Sequence, residues 1–203
     1  GLRSMSDLVK TAFLVSLLTG MFRMAAPILF AALGELVTER SGILNLGIEG
    51  TMLLGGFAAF LATYNTGSLW IGVLWGMLAG GLMSALFSLV VVTLKADQTI
   101  AGLTTNIFAA GVSLYMFRYT FADVATENLA TVGTFSEVPI PILSDIPFLG
   151  EVLFNQHVLT YLVIIMVFVI YLFLYRTKYG LALRAIGDNP RAVDMKGVNV
   201  NRY

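Results

Sequence analysis

Long apolar runs limit what this chain can fold into more than any other feature of its sequence. A helix needs about 20 mostly apolar residues to cross the hydrocarbon core of a membrane. Four runs approach or exceed that length, and a fifth is shorter and needs residues from the stretch before it. The longer runs are 11–34, 69–94, 99–119 and 158–175, and the shorter one is 51–64. This pattern predicts a protein that crosses a membrane several times.

The composition agrees with a membrane protein and excludes other classes. Hydrophobic residues make up 58% of the 203 residues and charged residues only 12%, whereas an average soluble domain has about 25% charged residues. A soluble enzyme could not cover its surface with so few charges, and the absence of cysteine removes thiolate metal ligands and thiol nucleophiles. We therefore predict an all-α, polytopic transmembrane helical bundle over residues 1–175, followed by a separate segment at 176–203.

The distribution of charge predicts how these helices are oriented. Residues 120–175 contain no lysine or arginine but five acidic residues, whereas residues 176–203 contain six basic and two acidic residues. Because short cytoplasmic loops carry the excess of lysine and arginine, we expect the C-terminal tail in the cytoplasm and the loop near 122–156 outside. Prolines at 139, 141 and 147 disfavour a regular helix in that loop, which is either a short structured cap or a simple connector.

The stretch 35–50, between two apolar runs, is polar and punctuated by glycine. Ionisable groups at bilayer depth cost about 2.5–3.5 kcal/mol each on insertion scales, and non-helical backbone is tolerated there only when protein or water covers it. The pattern is typical of the broken helix of a transporter, although a solvated cytoplasmic hairpin would give the same pattern. In the run 99–119, Asn106 needs a hydrogen-bond partner, so contact with another helix and contact with substrate both remain open. The candidate pathway residues are Glu39, Asn45, Gly47, Glu49 and Asn106.

Small residues recur at every fourth position along the run 69–94. This spacing places them on one helix face and permits the close approach by which helices associate in lipid. We predict helix packing along this stripe, with a partner either in this chain or in a second copy. The stripe consists of Gly76, Gly80, Ser84 and Ser88.

The tail after residue 175 carries the signals of a short capped helix. Gly187 is placed to end one helical turn, Asn189 to cap the next, Pro190 to occupy its first position and Gly197 to close it. A helix of about seven residues does not persist alone in water, so we expect a partner to pack on it. Its basic and small residues suit a docking surface for a cytosolic protein.

Two parts of the sequence resemble one known family. The tail contains Arg-Ala-Ile-Gly-Asp-Asn-Pro at 184–190 and Gly-Val-Asn at 197–199, and the polar stretch contains Glu-Arg-Ser-Gly at 39–42, then Asn45, then Glu-Gly at 49–50. Both parts resemble ABC-importer permeases of the branched-chain amino acid, ribose and nucleoside superfamily. Within it they are most similar to the general nucleoside branch, which depends on basic membrane lipoproteins.

The resemblance implies a transmembrane subunit that is not an enzyme and pairs with a second permease subunit. Two cytosolic ATP-binding subunits, which use ATP and magnesium, would drive it through a short cytoplasmic coupling helix. An extracytoplasmic substrate-binding protein would deliver the substrate, and the segment 45–50 would line the translocation pathway. The implied ATPase-coupling residues are Arg184, Gly187, Asn189, Pro190, Arg191 and Gly197.

No ATP site is expected in this chain, because the sequence contains no G-x-x-x-x-G-K-[ST] run. We also expect no catalytic residue, metal or other cofactor in it. The formal net charge of zero gives no attraction to nucleic acid. The implied setting is a bacterial or archaeal cytoplasmic membrane, with lipid around the helices.

Nucleosides are the expected substrates, and Phe57 or Phe108 could stack on a base. Sugars and branched-chain amino acids are the alternatives within the family. From another class, an ion-coupled secondary transporter would use Glu35, Glu39 and Glu49 as titrating groups, whereas a non-transporting scaffold would leave the capped helix without a role. Family permeases continue with further membrane helices after the coupling segment, so we expect this chain to be the N-terminal part of a longer permease.

Overall fold

The computed structural model describes residues 2–122, 131–139, 141 and 149–196, with side chains from Lys10 onward except those of Leu149 and Glu151. The chain divides into two compact units, Gly1–Val37 with Phe135–Tyr203, and Thr38–Thr134. The described helices and strands are α1 (Leu2–Arg40), α2 (Ile48–Thr66), α3 (Leu69–Ser88), α4 (Gln98–Thr120), β1 (Glu137–Pro139), α5 (Leu149–Leu153), β2 (Asn155–His157), α6 (Val158–Arg176), α7 (Lys178–Asp188) and α8 (Pro190–Asp194).

The four longer apolar runs form helices that are long and apolar enough to cross a membrane, which confirms the predicted all-α membrane bundle. These segments are Lys10–Arg40, Leu69–Thr93, Gln98–Thr120 and Val158–Arg176. The shorter run lies in α2, which begins at Ile48 and has 19 residues. At 1.5 Å per residue α2 is about 28 Å long, so the residues before the run supply the missing length.

In the first unit, α1 and α6 run side by side in the same direction. Arg23 of α1 forms an ion pair with Glu137 of β1, and β1 pairs antiparallel with β2, the strand that leads directly into α6. Beyond Arg23, Ala26 and Leu33 pack with Val163 of α6 in a buried cluster. Arg23 and the start of α6 therefore lie at one level, and both helices lead away from it.

The predicted loop near 122–156 contains a short β-hairpin. Tyr161 of α6 ties the hairpin down, because its hydroxyl accepts from the N–H of Gln156 at 3.0 Å and donates to the carbonyl of Val138 at 3.2 Å. The paired strands favour a structured cap over a simple connector. Residues 123–130, 140 and 142–148 of this loop lie outside the described residues.

The second unit is built on α2, which packs against both α3 and α4. A tight turn joins α2 to α3, in which Gly67 has φ +70° and donates its N–H to the carbonyl of Thr63 at 2.8 Å. A π-helical turn, Leu89–Thr93, extends α3, and the Asp97 side chain caps α4 by accepting two backbone N–H groups. The turn at Gly67 therefore defines the end of α2, and the Asp97 cap defines the start of α4.

Glycines of α3 bring it against α2. A Cβ on Gly76 would lie 3.1 Å from a backbone oxygen of α2, and Gly80 also faces α2. The sequence did not single out Gly72, yet a Cβ there would overlap a threonine hydroxyl of α2. Ser84 and Ser88 are exposed. The contact with α2 therefore involves Gly72, Gly76 and Gly80. It begins four residues earlier along α3 than the predicted stripe, and its partner is α2 of the same chain.

Candidate functional site

The polar stretch forms a non-helical break between α1 and α2. Helix α1 ends at Arg40, and Gly42 has φ +91°, a conformation that side chains disfavour. The N–H of Gly42 donates to the carbonyl of Glu39 at 3.0 Å. Helical structure resumes only at Ile48, so the backbone at 41–47 cannot satisfy its own polar groups by helix hydrogen bonds.

Side chains of α4 supply partners for this break. Asn106 accepts through Oδ1 from the N–H of Gly50 at 2.7 Å and donates through Nδ2 to the carbonyl of Leu46 at 3.0 Å. Gln98 Oε1 accepts from the N–H of Leu44 at 2.8 Å. Polar backbone at membrane depth needs such partners inside the protein. The geometry therefore favours contact between segments, rather than contact with substrate, as the role of Asn106.

Three glycines let the break lie directly on α4. A Cβ on Gly50 would lie 2.8 Å from backbone atoms of α4, and one on Gly47 would lie 2.8 Å from the methyl carbon of Thr105. On the α4 side, a Cβ on Gly102 would lie 2.7 Å from Cβ of Leu46. No side chain fits at these positions unless the backbone shifts, which explains why glycine punctuates the stretch.

The other candidate pathway residues occupy the turn and its two borders. Asn45 Oδ1 accepts from the N–H of Gly47 at 2.9 Å and shapes the turn before α2. Glu39 and Glu49 have exposed side chains, one in the last turn of α1 and the other in the first turn of α2. The structure thus gathers Asn45, Gly47 and Asn106 at the break and places the two carboxylates at its edges.

In the tail, α7 folds back on the end of α6 at a tight elbow. Thr177 caps α7, because its Oγ1 accepts from the N–H of Gly180 at 3.0 Å and donates back to a carbonyl of α6 at 2.6 Å. Gly180 is buried, and a Cβ on it would lie 2.6 Å from Cα of Leu174. The guanidinium carbon of Arg184 lies 4.6 Å from the ring centre of Tyr175. Arg184 therefore braces this elbow, in contrast to the exposed residues that follow it.

The exposed residues belong to α8. Asn189 Oδ1 accepts from the N–H of Ala192 at 3.1 Å, and Pro190 occupies the first position of the helix. Asn189, Pro190 and Arg191 are all exposed. The tail thus presents a short helix whose first turn is held by its own cap.

Two details of the tail differ from the sequence prediction. Helix α7 continues through Gly187 and ends at Asp188, because the N–H of Asn189 still donates to the carbonyl of Ala185 at 3.0 Å. Helix α8 has five residues, fewer than the expected length. Gly197, expected to close it, lies outside the described residues.

A polar cluster around Arg23 was not predicted from the sequence. Its partner Glu137 also accepts from Nδ2 of Asn155 at 3.0 Å, and these residues line a cavity of about 270 Å³ together with Ser16 and Thr19. An arginine that interrupts an apolar run is visible in the sequence. Its partner is not, because 114 positions separate the two residues.

Comparison with known proteins places the chain in a family. Residues 17–203 match the model of the branched-chain amino acid transport system / permease component family. The chain belongs to this permease family. No solved structure matches it.

Curated relatives in the permease family carry names of different substrates. The chain is 33% identical over 183 residues to the guanosine ABC transporter permease protein NupQ of Bacillus subtilis, which covers 87% of the chain and 57% of NupQ. It is 31% identical over 186 residues to the nucleoside ABC transporter permease protein NupC of Lactococcus lactis, covering 88% of the chain and 58% of NupC. It is 33% identical over 196 residues to the putative glucose ABC transporter permease protein TsgC13 of Haloferax volcanii, covering 95% of the chain and 57% of TsgC13. The chain thus spans less than two thirds of the length of each relative.

Proposed function

We propose that this chain forms part of the permease subunit of an ATP-driven importer and that the imported substrate is a nucleoside. Family membership supports the permease role, and the names of NupQ and NupC support a nucleoside. The name of TsgC13 supports a sugar as the alternative. The observation that supports ATP-driven transport is the capped, exposed helix α8, which is connected to the membrane helix α6 by the braced elbow.

Helix α8 is suited to receive a partner. A helix of five residues does not persist alone in water, yet Asn189 and Pro190 give it a defined start. The α6–α7 elbow is tight at Gly180 and braced by Arg184, so a displacement of α8 would be passed on to the membrane helix. The proposed partner is a cytosolic subunit that hydrolyses ATP with magnesium.

The break between α1 and α2 is the proposed lining of the pathway. Asn106 lies eight residues beyond Gln98 along α4, which is about 12 Å at 1.5 Å per residue. The break contacts α4 at both of these positions. These contacts support a break that reaches into the hydrocarbon region, in contrast to the alternative of a solvated hairpin loop.

The proposed orientation places the tail in the cytoplasm. In the first unit, the basic tail after α6 then lies inside, and the hairpin that contacts Arg23 lies outside. In the second unit, the break contacts the beginning of α4, which follows Lys95, and so lies toward the cytoplasmic end of that helix. Because the chain has no cysteine, Ser136→Cys and Lys196→Cys are expected to react with an impermeant reagent from opposite sides. Reaction from the same side contradicts this orientation.

Two further partners follow from the family. We propose that a second permease subunit completes the pathway and that an extracytoplasmic binding protein delivers the nucleoside. The chain itself carries no catalytic role in this proposal. Lipid covers the exposed apolar faces of the membrane helices.

Replacement of Asn189 and Pro190 by alanine in the intact transporter tests the coupling. We expect the ATP-hydrolysing subunit to co-purify poorly with this variant and ATP-driven guanosine uptake to fall. Asn65→Ala is the matched control. Asn65 is also an exposed asparagine, but it lies near the C-terminal end of α2 and not in the tail. Two results contradict the proposal and favour a secondary transporter. One is undiminished guanosine uptake by the α8 variant, and the other is undiminished uptake by the wild-type permease when the ATP-hydrolysing subunit is inactivated.

A further inference from the structure

A groove between α2 and α4 belongs neither to the break nor to the tail. Its volume is about 620 Å³, and its lining includes Phe57 and Phe60 of α2 with Ser113 and Phe117 of α4. Ligand clefts in proteins commonly measure about 300–1,000 Å³ and are mostly apolar with a few polar groups. The groove has the size and the character of such a cleft.

Ser113 is the polar side chain of this lining. It is only 6% exposed, and its hydroxyl has no hydrogen-bond partner among the residues that the structure describes. The hydroxyls of Thr104 and Thr105 on the same helix donate to carbonyls four residues earlier, at 2.8 and 2.9 Å. A buried hydroxyl without a partner costs stability. Ser113 therefore offers a hydrogen bond that the protein itself does not use.

The groove continues from the contact between the break and α4. Asn106, Ala110, Ser113 and Phe117 are spaced by four, three and four residues, which places them on one face of α4. Asn106 holds the break, and the other three line the groove. A ligand in the groove would therefore lie next to the proposed pathway.

Phe57 is the aromatic ring of the groove that is available for stacking. Phe60 and Phe117 both pack on Phe121, with ring centres 6.0 and 5.0 Å apart. Phe57 makes no ring contact within the described ranges. A planar ligand could cover the face of Phe57 without displacing another ring.

The lining discriminates between the substrate classes of the family. None of the residues that line the groove, all of which are described, is charged. A zwitterionic amino acid or a phosphorylated ligand would lose its hydration there without a counter-charge, which is costly. A sugar needs several hydrogen-bond partners, whereas the groove offers one polar side chain. A nucleobase has apolar faces that stack on aromatic rings and a polar edge that hydrogen-bonds.

We propose that this groove binds the base of a neutral nucleoside, which stacks on Phe57 and forms a hydrogen bond with Ser113. This inference rests on the proposed function and adds a binding site within this chain. Gly56 offers direct access to the site, because it lines the groove and a Cβ there has no neighbour within 4 Å. Gly111 of α4 has equally open space but does not line the groove.

Cysteine protection in the purified transporter complex tests the site. Gly56→Cys and the control Gly111→Cys are expected to react with a maleimide, and guanosine is expected to slow only the reaction at position 56. Leucine and glucose are expected to have no effect. Equal rates with and without guanosine, or protection by glucose or leucine, overturn the proposal. Failure of position 56 to react also overturns it, because another helix or lipid then fills the groove.

Uptake measurements separate this proposal from the proposed function. Phe57→Leu is expected to raise the KM for guanosine about tenfold, since stacking of a base on an aromatic ring commonly has an effect of that order or more. Ser113→Ala is expected to raise KM about threefold without loss of stability, because it removes a hydroxyl that has no partner. Phe168→Leu is the control, because Phe168 of α6 is exposed and does not line this groove. If wild-type protein takes up no nucleoside, the proposed function fails. If it does and the groove variants match the control, only the groove proposal fails.

Discussion

Gly50→Ala tests whether the break lies directly on α4. A Cβ at Gly50 would lie 2.8 Å from two backbone atoms of α4 and 3.0 Å from Cβ of Ala109. Backbone atoms cannot rotate away, so α2 and α4 must separate, which also stretches the hydrogen bond from Gly50 to Asn106. Overpacking of this kind costs about 1–3 kcal/mol. Alanine also favours a helix over glycine by about 1 kcal/mol, which partly offsets that cost.

Gly56→Ala is the matched control in the same helix. A Cβ at Gly56 has no neighbour within 4 Å, so this variant has the helix-propensity gain without the clash. The difference between the two variants therefore isolates the clash, and we expect Gly50→Ala to be less stable than Gly56→Ala by about 1–3 kcal/mol. Reversible unfolding of the purified protein by SDS in mixed micelles measures this difference. Equal stability of the two variants would refute direct packing of the break on α4.

Two further predictions concern the α2–α3 contact and the elbow. Gly72→Val is expected to lower the free energy of unfolding by at least about 1 kcal/mol, because a Cβ at this position overlaps Thr63. Gly81→Val is the control, because a Cβ at Gly81 has no neighbour within 4 Å. Similar SDS midpoints for both variants contradict the close contact. Arg184 and Tyr175 are expected to show a coupling energy of about 0.5–1 kcal/mol in a double-mutant cycle of Arg184→Ala and Tyr175→Leu, and a coupling energy of zero contradicts a braced elbow.

Features set by neighbouring residues were predictable from the sequence. The membrane helices follow from the lengths of the apolar runs, and the start of α8 follows from Asn189 and Pro190, whose effect extends only three residues along the chain. The end of α7 was predicted one residue early, because the helix hydrogen bond from Asn189 keeps Asp188 helical. Local signals thus locate the elements and the ends that carry a cap signal, whereas α1 (Leu2–Arg40) extends beyond the apolar run 11–34 at both ends.

Contacts between distant residues were not predictable in the same way. Asn106 stands out as a polar residue in an apolar helix, but its partner Gly50 is 56 positions away. The stripe of small residues predicts a contact along α3, yet only the position of α2 shows that Gly72 belongs to it and Ser84 does not. The groove likewise depends on which faces of α2 and α4 meet. Sequence spacing identifies a face, whereas tertiary packing decides what that face contacts.

The energy source of nucleoside uptake tests the central claim most directly. The intact transporter, reconstituted in proteoliposomes with its ATP-hydrolysing subunit and binding protein, is supplied with labelled guanosine. We predict accumulation that requires ATP and magnesium and continues when an ionophore abolishes ion gradients. Accumulation that proceeds without ATP and stops with the ionophore would contradict an ATP-driven permease and favour an ion-coupled transporter.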